Sequence, residues 1–376
     1  MIRRLALIGV VLALSPAAAQ QRPLAVSPPP PPPPPSVPPP VVATSTGQMI
    51  NRQKLLDYRP GDVRCGSETI HPERVERPLT MLRYGDVPAI PVMLRFRIDS
   101  TGRPLSIVRE SERFPENDDL LPSFAAWQFP DGARADCSIS FYPVAEPIET
   151  VSPAAARRYL ALGGFRPGQA PRPLWDRAQL PGGCVQRWPQ LLTQSFPRFD
   201  TIAAPPASLS ATFLGFDIDG EGVPTNIRTL DSDGNAALDV AGREAIAKWR
   251  YAEGPRSGCT YPYHRRQQVP LAPPEAPDPA ALRDPAARCD TAEAWQTPPV
   301  LTFPDPYRKR AIEGWAIIAF DVAPWGATGN VRVLAAEPTS DFGDAAKRVV
   351  EQSRKMASET GASGCTERVR FAMTSD

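Results

Sequence analysis

Apolar and polar residues alternate through Val92, Leu94, Phe96 and Ile98, the period of a strand with one buried face. Asp99 to Gly102 then supplies turn chemistry and Leu105 to Val108 resumes the strand, which predicts a hairpin. The same signals return at Phe213 to Ile218, Asp219 to Gly222 and Thr225 to Leu230. They return again at Ala316 to Val322, a turn containing Gly326 and Gly329, and Val331 to Ala335. Behind each hairpin the apolar spacing becomes helical, over Asp118 to Gln128, Ala236 to Arg250 and Asp344 to Met356. Trp127 and Trp249 close the first two of these helices and read as core plugs; the third has Ser353-Arg354-Lys355 in that register. A short apolar-polar stretch ends each segment: Ser138 to Val144, Thr260 to Tyr263 and Thr366 to Met373. The pattern therefore predicts strand, strand, helix, strand, three times over.

The cysteines keep the same beat. Taken in consecutive pairs, Cys65 and Cys137, Cys184 and Cys259, and Cys289 and Cys365 are 72, 75 and 76 residues apart. The phenylalanines Phe96, Phe216 and Phe320 follow the first cysteine of each pair by 31, 32 and 31 residues. Such register points to an internal repeat. Six cysteines allow fifteen pairings, and the repeat favours one bond within each unit. A loop of that length is worth about 4 kcal/mol in the chain-entropy model. Metal ligation is the alternative use of cysteine, but there is no CxxC pair and only two histidines, His71 and His264. The expected fold class is α+β: three small units, each a three-stranded antiparallel sheet (β-β-α-β) with a packed helix and one disulfide.

Composition adds a destination and removes several functions. Met1 to Arg4 is short and basic, Leu5 to Leu14 is apolar, and Ala17 to Ala19 fits a secretory cleavage site, so a signal peptide is read over 1–19. Retention as a membrane anchor is the alternative, although ten apolar residues fall short of the roughly 20 that span a bilayer. Forty-eight prolines, eight of them consecutive from Pro28 to Pro35, mark residues 20–52 as a disordered linker. Pro28 to Pro40 would form a semi-rigid spacer of roughly 40 Å. The units are then bounded at 53–147, 172–270 and 282–376, with linkers at 148–171 and 271–281; the first linker carries a short helix with Ser152 as N-cap, Pro153 in its first turn and Gly163 beyond its end. Forty-two basic residues nearly cancel 41 acidic ones, leaving +1, so no nucleic-acid footprint is present.

This layout resembles the TonB family. An exported N-terminus, a proline-rich spacer and small units with Phe-x-Ile-Asp-x-x-Gly followed by a helix ending in Trp-Arg-Tyr are similar to its C-terminal domain, here in three copies. Tyr307 to Ala311 ahead of Glu313-Gly314 is similar to the passage that opens that domain. The resemblance implies a partner rather than a reaction: TonB proteins add an extended segment of an outer-membrane transporter to the edge of their sheet. Carried to this sequence, the expected peptide-binding edge is Thr366, Glu367, Arg368, Val369, Arg370 and Phe371, with Tyr307. Pro143 and Pro262 interrupt the other two last strands, whereas the third contains no proline. The partners implied are envelope proteins, among them TonB-dependent outer-membrane transporters; membrane association is expected only with an uncleaved leader. The expected location is the periplasm of a Gram-negative bacterium, or the inner membrane facing it for an anchored energy transducer. A structural role in the envelope or at peptidoglycan is a further alternative.

An enzyme is the different-class reading. Asp217 and Asp219, with Glu221 close by, could do acid-base chemistry. The first unit keeps only Asp99 of this set and the third only Asp321, and Asp is common in turns for its backbone hydrogen bonds. No catalytic residue, cofactor or metal is expected.

Overall fold

The computed structural model describes residues 53–110, 117–163, 169–187, 189–252, 254–265, 269–289 and 294–373. The leader and proline-rich linker read over 1–19 and 20–52 lie outside the described residues. The first segment comprises β1 (Gln53–Pro60), β2 (Val63–Cys65), β3 (Glu68–Ile70), β4 (Met81–Tyr84), β5 (Val92–Ile98), β6 (Pro104–Arg109), α1 (Leu120–Ala125) and β7 (Arg134–Pro147). Then come α2 (Pro153–Leu162), α3 (Arg172–Ala178), α4 (Gly183–Gln186), β8 (Leu191–Thr193), β9 (Ala211–Ile218), β10 (Pro224–Ser232), α5 (Ala236–Ala247), β11 (Arg250–Tyr251) and β12 (Arg256–His264). The last segment holds β13 (Trp295–Thr297), α6 (Asp305–Arg310), β14 (Gly314–Val322), β15 (Thr328–Glu337), α7 (Ser340–Glu351), β16 (Arg354–Lys355) and β17 (Ala362–Phe371).

Hairpin, helix and closing strand recur in each segment, as do the clasps between them. In the first hairpin Asp99 Oδ1 accepts from the N–H groups of Thr101 and Arg103, the local turn bonding that favours Asp there. Gly102 follows with φ +78°, and a Cβ on it would lie 2.0 Å from the Phe129 carbonyl oxygen, so only glycine fits. Its own carbonyl accepts from Phe129 N at 2.8 Å. Gly222 with Tyr251 and Gly326 with Lys355 repeat this bond at 2.9 Å. The disulfides pair Cys65 with Cys137, Cys184 with Cys259, and Cys289 with Cys365. No described cysteine is free.

The core ring beside each clasp is also repeated, from a different source in the third segment. Phe96 stacks on Phe129 and Phe216 on Tyr251, with centroids 6.0 and 6.1 Å apart. Lys355 replaces that second ring, and Trp295 of β13 supplies it instead, 5.9 Å from Phe320 with the Lys355 ammonium 4.1 Å from its centroid. The helices end earlier than their periodicity predicts, at Ala125, Ala247 and Glu351, because the following tripeptides turn off into bridges with Arg74, β8 and β13. Trp127 and Trp249 therefore stand just past the helices, buried, their indole N–H groups donating to Glu76 O and Ser195 O.

Two expectations need correction. The first sheet is not three-stranded: it has seven strands, with β3-β2-β7-β1-β4 in order and β5 and β6 joined through β7. The other two hairpin sheets are three-stranded, β10-β9-β12 and β15-β14-β17. The first and third segments share a core, with Phe96, Phe124 and Ile107 in one buried cluster with Tyr307, Phe320 and Phe342. Of the linker read over 148–171, the described residues 148–163 and 169–171 are not a free spacer. Ser152 Oγ caps α2 by accepting from Ala155 N, as its sequence predicts, but Leu160 and Ala161 pack with Leu174 of α3 against Phe213 of β9. That second layer buries both faces of β9, which is why Ala211 to Phe216 is buried throughout while burial alternates along β5.

Arg310 ties the segments together. Its guanidinium is fully buried and bonds both Asp119 oxygens at 2.6 Å, the Arg77 carbonyl at 2.9 Å and the Ala207 carbonyl at 3.3 Å. One side chain thus joins α6 to the helix entry of the first segment and to the approach to β9. Glu337 makes a second joint, accepting from Arg97, from Ser106 N and from Ser106 Oγ.

Candidate peptide-binding edge

β17 is positioned by β14, against which it runs antiparallel from Phe320↔Cys365 to Gly314↔Phe371. Before that ladder the strand bulges at Gly364, whose φ is +67° and whose N–H donates to Asp321 Oδ1 at 2.8 Å. On its outer side Ser363 exchanges both backbone bonds with Arg288 at 2.9 Å, next to the Cys289–Cys365 disulfide. Beyond that point, from Thr366 to Phe371, β17 has β14 as its strand partner and none on its outer side among the described residues. That stretch therefore lacks a strand partner, while the 3-10 turn Pro279–Leu282 packs beside β17 and Arg283 reaches Thr366.

Side chains alternate along it. Cys365, Val369 and Phe371 face the shared core under α7, and Glu367 lies 3.8 Å from Lys355 on that side. Thr366, Arg368 and Arg370 take the opposite face with Trp315, whose indole donates to Pro274 O. Thr366 is buried, its hydroxyl accepting from Arg283, and Phe371 is buried against Phe342, so those two offer backbone and no side chain. Arg368 and Arg370 are exposed; Glu367 and Val369 are half-buried. Tyr307 is placed away from the edge, a correction to its expected part in binding. It is buried in the core, 4.6 Å from the Phe342 ring, with its hydroxyl bonded to Thr339 and Asp341. Burial first, and the Asp341 charge second, raise its pKa well above the usual tyrosine value.

The other last strands are closed by different means. β7 is covered by the chain itself: β1 pairs with it from Lys54↔Pro147 to Pro60↔Phe141, and β2 continues with Arg64↔Ser138 and Cys65↔Cys137. The obstruction expected from Pro143 is secondary, since Pro143 sits opposite Tyr58 within that ladder. Periodicity missed β1, because the adjacent pair Leu55-Leu56 breaks any alternation. β12 carries Pro262 opposite Phe213, and α4 packs beside it through the Cys184–Cys259 disulfide.

Residues 299–373 match the family model of the Gram-negative bacterial TonB protein C-terminal domain. The match runs from just before α6 to the end of β17 and takes in the open edge; the first two segments lie outside it. Comparison with curated proteins finds no match. In its last segment the chain is TonB-like, which relates it to TonB-dependent transport across the Gram-negative envelope. No helix among the described residues is long and apolar enough to cross a membrane.

The carboxylates singled out for chemistry are occupied with structure. Asp219 Oδ1 accepts from Glu221 N and Val223 N, closing its turn. Asp217 accepts from the Asn226 amide and from Gly258 N, and Asp321 repeats this with Asn330 and Gly364. Those side-chain bonds, then the backbone ones, hold both carboxyls below the usual aspartate pKa. Among the described residues no group of three or more His, Cys, Asp or Glu is placed to hold a metal ion. A cavity of about 510 Å³ opens beside β1, α2 and β10, but four of its charged groups are spent on each other, Arg77 with Asp57 and Arg158 with Asp233.

Proposed function

We propose that this chain is a periplasmic TonB-like binding protein that captures an extended segment of an envelope protein by strand addition at β17. The observation that carries this reading is the contrast of edges. The segment that matches the TonB domain leaves its last strand open, while the first segment has the same place filled by a strand of its own chain. The fold thus already accommodates a strand added at this position. Recurrence of the turn, clasp and disulfide supports reading the first two segments as divergent copies of the same domain. With their edges closed, those copies act as a scaffold and the chain captures one segment at a time. The role is binding, with no reaction catalysed, and the mature protein begins at or near Gln20.

A photo-crosslinking residue placed at Arg368 or at Tyr142, both exposed, tests this in envelope preparations of the exporting host. Position 368 should trap the periplasm-facing segment of an outer-membrane transporter and position 142 should not. Equal trapping at both, or trapping of cell-wall material alone, would replace this reading with a structural one.

A further inference from the structure

The first and third last strands can be superposed by register. Phe96↔Cys137, Leu94↔Ile139 and Val92↔Phe141 correspond to Phe320↔Cys365, Ile318↔Glu367 and Ala316↔Val369. Ser138, Ser140 and Tyr142 therefore stand where Thr366, Arg368 and Arg370 stand, on the face away from the helix. In the first segment the added strand brings its own arginines to this face, Arg64 opposite Ser138 and Arg59 opposite Tyr142. In the third segment the arginines are on the acceptor. Arg368 and Arg370 are exposed, and among the described residues neither has a hydrogen bond or ion pair. Two residues along a strand are about 7 Å apart on one face. Arg368 and Arg370 also line a cavity of about 400 Å³ with Trp315, Pro274, Glu275 and Glu313. Of its two carboxylates, Glu313 is engaged by Met373 N, and neither is within ion-pair reach of the arginines.

We propose that β17 selects an extended segment of another protein that runs antiparallel to it and carries carboxylate side chains opposite Arg370 and Arg368. The inference rests on strand capture at β17 and adds its direction and charge. Direction follows from β1, which is antiparallel to β7 at the corresponding edge. Charge follows from the transfer of arginines to the acceptor. A strand like β1 would place an arginine opposite Arg370, and like charges directly across a ladder are destabilising, whereas opposite charges attract. The residue between the two carboxylates shares the side of Val369 and Phe371, so an apolar side chain suits it. The chosen partner is thus an acidic strand with apolar residues interleaved, and the chain's own first strand is rejected.

The test uses the disulfide-intact chain and three fluorescent ten-residue peptides of one extended sequence, with Glu, Gln or Lys at the two positions. At low salt the Glu peptide should bind about tenfold tighter than the Gln peptide, from two exposed charge pairs, with the Lys peptide weakest. The advantage should shrink as salt is raised. The double variant Arg368→Glu, Arg370→Glu should prefer the Lys peptide. A paramagnetic tag on the peptide N-terminus should broaden amide signals near Phe371. Equal binding of Glu and Gln peptides, or an unreversed preference in the double variant, overturns charge selection and leaves strand capture standing. Broadening near Cys365 overturns the antiparallel direction. Failure of all three peptides to bind removes strand capture itself, and this inference with it.

Discussion

β7 and β17 hold the same place in their segments, pair with equivalent hairpin strands in the same register, and carry equivalent disulfides, yet only β7 has a strand on its outer side. The difference arises upstream. The chain before Cys65 pairs as a strand with seven residues of β7, whereas the segment before Cys289 makes one backbone bridge with β17, at Ser363, and otherwise lies beside it through the 3-10 turn Pro279–Leu282 and the Arg283–Thr366 bond. Edge strands invite pairing, and a repeat protein with three open edges would invite association with itself. One last strand, β7, is covered by a strand of the chain itself and another, β12, carries a proline and packs against a helix, which on the proposed reading leaves β17 as the acceptor. On the proposed reading the first two segments serve as framework, in contrast to multivalent capture by linked modules.

The comparison can be broken most severely at its joint. Arg310→Ala leaves Asp119 buried without its partner and should cost about 3–5 kcal/mol in denaturant unfolding. The paired change Arg310→Met with Asp119→Leu should recover much of that loss, since buried ion pairs are often replaceable by packed apolar residues. Next in size is Leu56→Pro. Leu56 is buried in a strand flanked by both β7 and β4, so proline there removes an interior ladder position at about 3 kcal/mol. It should also raise amide exchange over residues 141–147. Loss of one disulfide, through Cys289→Ser with Cys365→Ser, should cost about 2–4 kcal/mol and loosen the start of β17 while sparing β7.

Much of this framework is legible in the sequence because its determinants are local. Period-two alternation, a turn ending in glycine, the Ser152 cap and the even cysteine spacing each act within a few residues or repeat at a fixed interval. The closing of β7 is not legible, because β1 and β7 are about ninety residues apart and Leu55-Leu56 serves two different cores. Trp295 standing in for the ring that Lys355 lacks is a compensation across the fold, visible only once β13 and β16 pair. Of the edge itself, the strand and its arginines are legible. Tyr307 is not: an aromatic ahead of the hairpin marks the domain's opening passage, and its contacts with Thr339 and Asp341 place it inside.

The smallest expected effect concerns Asp217 and Asp321, which close corresponding corners in the second and third segments. Their folded pKa values lie below the unfolded ones, so their stabilisation is present above the usual aspartate range and is lost as pH falls through the depressed values. Asp321→Asn should therefore reduce the acid sensitivity of unfolding slightly, read from midpoints between neutral and acid pH.

Hydrogen exchange of the free, mature chain, resolved by residue, tests the contrast of edges most directly. The prediction is that outward-facing amides within residues 366–371 exchange much faster than their counterparts within 138–143, and that an added acidic strand slows the former alone. Equal protection of the two strands in the free chain would contradict an open edge at β17.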